Sequence, residues 1–376
     1  MTRSAAPAGQ AYLDWNATAP LRPEARAAML EALDEAGNPS SVHAFGRRAR
    51  RRVEDARAAV AALAGADAAG VVFTGSGTEA NNLALAAAPE RRLLVSAVEH
   101  ASVLEAAPRA SRIPVDGQGR VDPDALDRLL AGGPPALVSV MAANNETGVL
   151  QPLEEIARVA RSHGALLHVD AAQAAGRVPF DMGVLGVDLA TLSAHKLGGP
   201  QGVGALLLRP GLEPRPLLRG GGQERRRRAG TENVAGIAGF GAAARAALAG
   251  LGAYADVAAL RDRLEAAVMA EAPEARIAGR DAPRLPNTSC IALPGVPAET
   301  QLMALDLAGV AVSSGSACSS GKVKVSHVLE AMGWPAELAG CAVRVSLGWD
   351  SRADEVERFL AAWTALRNRA AAKRGC

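Results

Sequence analysis

The chain has 376 residues, 49% hydrophobic and 21% charged, which places it well inside the globular range and is enough for two cores. Lysine and arginine total 41 against 39 acidic residues, a formal net charge of +2, so there is no global positive field of the kind that gathers nucleic acid. The first ten residues lack the apolar core of a signal peptide, no apolar run reaches membrane-spanning length, and Cys290, Cys318, Cys341 and Cys376 form no Cys-x-x-Cys pair, so a soluble protein of the reducing cytoplasm is expected.

Along the chain, Pro23 to Leu33 has helical spacing and is broken by Asn38-Pro39-Ser40-Ser41. Gly46 to Leu63 predicts a long amphipathic helix with Val53, Ala56, Val60 and Leu63 inward and Arg47, Arg48, Arg50, Arg51 and Arg52 on a solvated face. Val71 to Thr74 predicts a strand, followed by Gly75-Ser76-Gly77-Thr78 and a helix through Leu83. Such a strand, glycine turn and helix N-terminus aim free backbone N–H groups at an anion, although the same turn also serves simply to redirect the chain. Neither this turn nor the later glycine clusters carry the Lys-Ser/Thr ending of a P-loop, which disfavours nucleotide binding.

Further strands are expected at Leu93–Ser96, Leu137–Val140, Leu166–Asp170, Leu189–Leu192 and Gly204–Leu208, with helical stretches between most of them. That alternation predicts a mostly parallel sheet covered by helices on both faces, with its chemistry at the carboxyl ends of the strands. His100, just after one such strand, reads either as a helix cap or as an imidazole stacked on a ring and moving protons. His168 and Asp170 are two apart on a strand, but no third ligand stands at a telling spacing, so no resident metal is expected.

Ser193-Ala194-His195-Lys196-Leu197-Gly198-Gly199 sets a lysine between hydroxyl and imidazole donors before a glycine pair. A lysine so placed can form a Schiff base with an aldehyde cofactor while its neighbours hold a phosphate, and Asp170 ends a strand as the carboxylate a pyridinium nitrogen needs. Together they point to pyridoxal phosphate. Gln223 to Thr231, with four arginines in a row, lacks interleaved aromatics and reads as a mobile rim loop meeting anionic ligands or a partner.

Ala235 to Val268 predicts one alanine-rich helix leading out of a large domain spanning residues 12–250. Residues 251–376, joined by 1–11, form a smaller α/β domain with strands at Ser289–Leu293 and Val343–Leu347. Cys318 lies in Val312-Ser313-Ser314-Gly315-Ser316-Ala317-Cys318-Ser319-Ser320-Gly321, a run of small residues. It reads equally as a travelling nucleophile or as an incidental surface thiol. Cys290 and Cys341 read as inert core residues and Cys376 as a frayed end.

Ordered motifs from Tyr12-Leu13-Asp14-Trp15-Asn16-Ala17-Thr18 through Gly37 to His43, Thr78 to Asn82, Asn144 to Gly148, His168 to Gln173, Ser193 to Lys196, Gly220 to Glu224, Arg228 to Thr231 and Ser313 to Cys318 carry a resemblance over nearly the whole chain. It resembles the cysteine desulfurases of the NifS and IscS group, pyridoxal-phosphate enzymes of fold type I in the class V aminotransferase superfamily. The resemblance implies an α/β fold type I transferase that converts L-cysteine to L-alanine through a persulfide on Cys318. The sulfur would go to an iron–sulfur scaffold protein or another acceptor, with Cys318 as a transient cluster ligand.

By the same resemblance Lys196 is the Schiff-base lysine, His100 the stacking acid/base, and Asp170 the partner of the pyridinium nitrogen. Gln173 and Asn145 lie near the ring oxygen, while Gly77, Thr78, Ser193 and His195 hold the phosphate, helped by Thr231 from the second subunit of a homodimer. Arg344, with Asn145, takes the substrate. The longer loop between Cys318 and Ser326 favours delivery to a separate protein, and Lys322 and Lys324 suit a partner with an acidic edge. A selenocysteine lyase or a class V aminotransferase is the alternative within the fold.

Overall fold

The computed structural model describes residues 9–314 and 325–374. In chain order the strands are Ala11–Tyr12 (β1), Val71–Thr74 (β2), Arg92–Ser96 (β3), Ser111–Ile113 (β4), Ala136–Met141 (β5), Leu166–Asp170 (β6), Leu189–Ser193 (β7), Gly204–Leu208 (β8), Arg276–Ile277 (β9), Thr288–Ala292 (β10), Val310–Ala311 (β11) and Ala342–Ser346 (β12). The helices are Pro23–Leu33 (α1), Ala44–Leu63 (α2), Gly77–Leu85 (α3), Ala101–Leu104 (α4), Pro123–Leu130 (α5), Leu153–Ser162 (α6), Met182–Leu185 (α7), Val234–Ala249 (α8), Tyr254–Glu271 (α9), Ala298–Leu307 (α10), His327–Ala331 (α11), Ala336–Ala339 (α12) and Ala353–Arg374 (α13).

Seven strands form the large sheet in the order β2-β8-β7-β6-β5-β3-β4. All neighbours pair in parallel except β8, which runs antiparallel to both β2 and β7. The parallel strands are buried on both faces, as continuous apolar runs such as Leu137-Val138 and Leu166-Leu167 require. Every expected strand is present within a residue of its expected bounds. The three-residue edge strand β4 was too short to stand out.

The main core packs α8 against both α1 and α2, with Phe240 fully buried and edge-on to Phe73 at 6.2 Å. On α2 the five arginines from Arg47 to Arg52 face outward, but Arg57 turns inward at 3% exposure, which the charge pattern did not single out. A second core joins Ala11 and Leu13 to α9, β10, α10, β12 and α13, with Phe359 and Trp363 at its centre. It is backed by the antiparallel sheet β12-β10-β9.

Two expectations need correction. The alanine-rich stretch from Ala235 to Val268 is two helices, not one: α8 ends at Gly250, whose φ of −91° and ψ of 4° leave the helical region, and α9 sets off at 58° to it. The Gly250 N–H still bonds the carbonyls of Ala246 and Leu248, and the chain leaves the helix after it. The arginine-rich loop is also not a loose rim. Glu224, Arg225 and Arg226 all hold left-handed φ of 44°, 56° and 68°. That strain persists because Glu224 is pinned below it: its carboxylate receives Arg57 Nη1 and Nη2 at 2.8 and 3.0 Å and the Phe73 N–H at 2.9 Å. Arg227 pairs with Glu213 and Arg228 with Glu79, so these arginines meet carboxylates of the same chain.

Candidate active site

The carboxyl ends of β2, β3, β5, β6 and β7 open on one rim, and each delivers part of a single constellation. β7 ends at Ser193 and the chain turns at once through Ala194–Lys196 into the antiparallel return of β8, which sets Lys196 at that rim. Lys196 Nζ donates to the carbonyls of Asn16 and Ala17 at 2.6 and 3.0 Å. Burial, then the charges of Arg344 and Arg177, push its pKa down to about 7, against the pull of Asp170 and Asp14. A lysine in that range is about half free amine at neutral pH, and the free amine is the form that attacks an aldehyde.

Asp170, at the end of β6, is buried and accepts from Asn81 Nδ2 at 2.8 Å and the Ala172 N–H at 3.0 Å. Asn81 sits on α3 and was quoted in the motif but given no role by the sequence. His168, two residues earlier, faces Ser139 and Thr191 at 2.8 and 3.0 Å, a satisfied core histidine whose pKa burial lowers to about 4. Among the described residues no group of three or more metal-ligating side chains converges.

A turn of hydrogen-bonded caps forms where β2 meets α3. Ser76 Oγ caps the Glu79 N–H at 3.1 Å, and Glu79 Oε2 takes the Gly75 N–H at 2.7 Å. The N–H groups of Gly77 and Thr78 then point out of the helix start. A Cβ on Gly77 would lie 3.2 Å from the Ser193 Cβ, so a glycine there lets α3 close onto the end of β7. His195 completes the corner, its Nδ1 3.2 Å from Thr18 Oγ1. Burial and the nearby Lys196 and Arg177 hold the His195 imidazole neutral, with a pKa of about 4. Outward amides at a helix start, a hydroxyl and an imidazole are the donor set a phosphate monoester needs, and with Lys196 and Asp170 they fit pyridoxal phosphate.

His100 is the N-cap of α4, its Nδ1 accepting the Ser102 N–H at 3.1 Å, so the cap reading holds and the ring still stands at the rim. Burial lowers its pKa. Arg344, on β12, is 4% exposed; it donates to Asp14 Oδ1 at 2.5 Å and to the Asn145 carbonyl at 3.1 Å, and its Nε is buried without a partner. Gln173 binds the Asn16 carbonyl at 3.1 Å and is tied to Arg177. Thr231 is exposed on the loop before α8.

Sequence reasoning missed the hub of this site. Asn16 is fully buried and uses all four side-chain hydrogen-bonding positions: Nδ2 donates to Asn145 O and Thr288 Oγ1, and Oδ1 accepts from Arg177 and Asn287. It therefore joins the large sheet to β10 beside the lysine. Only its place in the Tyr12 to Thr18 motif could have flagged it. Cys290 and Cys341 are buried as expected, with burial driving the Cys290 thiol to about 12. Cys318 and Cys376 lie outside the described residues.

The fold and this constellation define a pyridoxal-phosphate enzyme of fold type I. The class-V aminotransferase family model matches residues 11–359. A cysteine desulfurase of Cereibacter sphaeroides is 49% identical over 364 residues, 93% of each chain, and the cysteine desulfurase NifS of Azotobacter vinelandii is 43% identical over 93% of this chain and 90% of its own. Among solved structures, a NifS-like protein from Rickettsia africae superposes with a TM-score of 0.89 at 36% identity, covering 96% of this chain and 99% of that one. The chain belongs to the class-V aminotransferase family, within its cysteine desulfurases of the NifS and IscS group.

Proposed function

We propose that this chain takes sulfur from L-cysteine with the following division of labour. Pyridoxal phosphate, when bound, supplies an electron sink for the substrate's α-carbon. Lys196 Nζ, whose lowered pKa makes the free amine available near pH 7, would capture the cofactor aldehyde and, once released, would move the substrate's α-proton. Asp170 is the carboxylate for the ring nitrogen, and Asn81 and the Ala172 N–H keep it aimed. Gly77, Thr78, Ser193 and His195 hold the phosphate. Gln173 and Asn145 border the ring oxygen, and His100 covers the ring face.

Arg344 takes the substrate carboxylate, for which its unpartnered Nε and the Asp14-bound Nη2 form a fork. The Cys318 thiolate then attacks the substrate sulfur. One S–S bond forms and the substrate's Cβ–S bond breaks, so L-cysteine and a thiol become L-alanine and a persulfide, with no outside oxidant. The flanking described residues support that reach: Ser313 exchanges backbone hydrogen bonds with Arg344, and Ser326 Oγ donates to Glu146 beside Asn145 at 2.5 Å.

A homodimer is supported by the exposure of Leu33, Val42 and Phe45 at 66%, 87% and 53%, and of Leu217 and Leu218 on the chain leading to Thr231. That arrangement lets Thr231 serve the second subunit's phosphate. We assign residues 12–250 to the cofactor-binding domain and 251–376 with 1–11 to the smaller one. The enzyme works in the cytoplasm and hands sulfur to an iron–sulfur scaffold or another acceptor. No single described helix is long and apolar enough to cross a membrane.

The observation that carries this reading is Lys196 on the rim it shares with Asp170, its pKa brought near neutrality. Cys318→Ser should keep the cofactor's visible absorbance and lose the enzyme persulfide. Loss of absorbance would make Cys318 structural, and amino-group exchange with a keto acid in place of sulfur release would favour an aminotransferase.

A further inference from the structure

Four side chains form one line of hydrogen bonds at the rim. Asn81 Nδ2 donates to Asp170 Oδ2 and to Ser102 Oγ, both at 2.8 Å. Ser102 Oγ in turn lies 2.8 Å from His100 Nδ1, which also accepts the Ser102 backbone N–H at 3.1 Å. The directions are fixed at the two ends, by the Asp170 carboxylate and by the Ser102 backbone N–H. A carboxylate only accepts, so Asn81 must present its NH2 group; turning the amide over would set Oδ1 against Asp170. The orientation has a cost that shows in the structure, since Asn81 Oδ1 is buried with no partner. With Asn81 donating into it, Ser102 Oγ has its own proton left for His100 Nδ1. That nitrogen accepts twice, and the neutral ring carries its proton on Nε2.

We infer that Ser102 and Asn81 are positioning residues that hold His100 as the neutral Nε2–H tautomer and tie that choice to the Asp170 carboxylate. The inference rests on the proposed roles of His100 and Asp170 at the cofactor ring. Around the imidazole, burial opposes the charged form, as do Lys196 and His327, while Asp170 favours it. Glu99 adds no clear charge there, because burial raises its pKa to about 8. A proton placed on Nδ1 would meet the Ser102 backbone N–H, which can only donate, and break that bond. His100 thus meets an incoming anionic sulfur as a hydrogen-bond donor, and the chain through Asn81 makes its tautomer sensitive to whether Asp170 is ionised.

The test is long-range 1H–15N spectroscopy of the holoenzyme labelled in its histidine rings, with His100 assigned by difference from His100→Gln. The wild-type ring should show the Nε2–H tautomer and titrate below an ordinary histidine. Ser102→Ala should raise that pKa by about one unit, and Ser102→Thr should restore it. Asn81→Ala should raise it too and also shift the pH at which the bound cofactor changes absorbance, because Asp170 loses a donor; Ser102→Ala should leave that second titration in place. An Nδ1–H tautomer in the wild type, readable without any variant, overturns the inference, as does an unchanged His100 titration in folded Ser102→Ala. The spectra need no turnover, so a protein that shows the tautomer but releases no sulfur contradicts the proposed function alone.

Discussion

Replacing Glu224 by alanine removes the centre of the strained loop that leads to Thr231. The wild-type carboxylate takes two hydrogen bonds from Arg57 at 2.8 and 3.0 Å and one from the Phe73 N–H, with both side chains at 3% exposure or less. Removing one partner of a buried pair leaves the other charge uncompensated, which costs about 3–5 kcal/mol. Arg57 keeps the Val71 carbonyl at 2.7 Å and a 3.2 Å contact with the part-exposed Glu54, so the lower end, about 3 kcal/mol, is expected. For a chain of this size that amounts to a fall of about 4 °C in Tm. Because two well-packed apolar groups can replace such a pair, Arg57→Met with Glu224→Leu should recover part of the loss, the Phe73 N–H being left without its acceptor. Thermal and urea unfolding of wild type, Glu224→Ala and the double variant, followed by circular dichroism, reads both changes. A Glu224→Ala change within about 0.5 kcal/mol of wild type, or a double variant no better than the single one, would refute the argument that this pair holds the loop.

Other consequences follow from the same site. Arg344→Ala should raise KM for L-cysteine more than it lowers kcat, through loss of a charge-assisted contact of about 1.5–3 kcal/mol, roughly 10- to 150-fold; steady-state kinetics read the split. Lys196 has a folded pKa of about 7, below its ordinary 10.5, so the unfolded chain holds more protons between those values and apoenzyme stability should rise with pH across that window. Capture of pyridoxal phosphate by the apoenzyme, followed by absorbance, should likewise speed up about tenfold per pH unit below 7 and level off above it. Glu99 goes the other way: its pKa is raised from 4.5 to about 8 chiefly by burial, so its contribution is lost as pH climbs through that range. Glu99→Gln keeps an acceptor for Ser96 Oγ and the Met141 N–H and should flatten that decline in urea titrations between pH 5 and 8.

The sheet was legible because its strands are continuous apolar runs with turn residues at their ends, and fully buried parallel strands must look that way. Lys196, Asp170 and the Gly77 turn were legible because chemistry restricts the residue type at a strand end. Asn16, Asn81 and Ser102 were not, since an asparagine that bridges two elements carries no local pattern; its partners lie far away in sequence, 272 residues off in the case of Asn16 and Thr288. Arg57 hid for a related reason. It sits at helical spacing among solvated arginines, and only Glu224, from a distant loop, makes it an interior residue. The break at Gly250 was masked by alanine, whose helix propensity runs unchanged across both helices.

The most direct measurement is product release from L-cysteine by the purified holoenzyme with added reductant. Sulfide and L-alanine in equal amounts, abolished in Lys196→Ala and with the persulfide absent in Cys318→Ser, is the outcome this account predicts. Full sulfide release by Lys196→Ala, or a cofactor-loaded wild type that releases neither product, would contradict it.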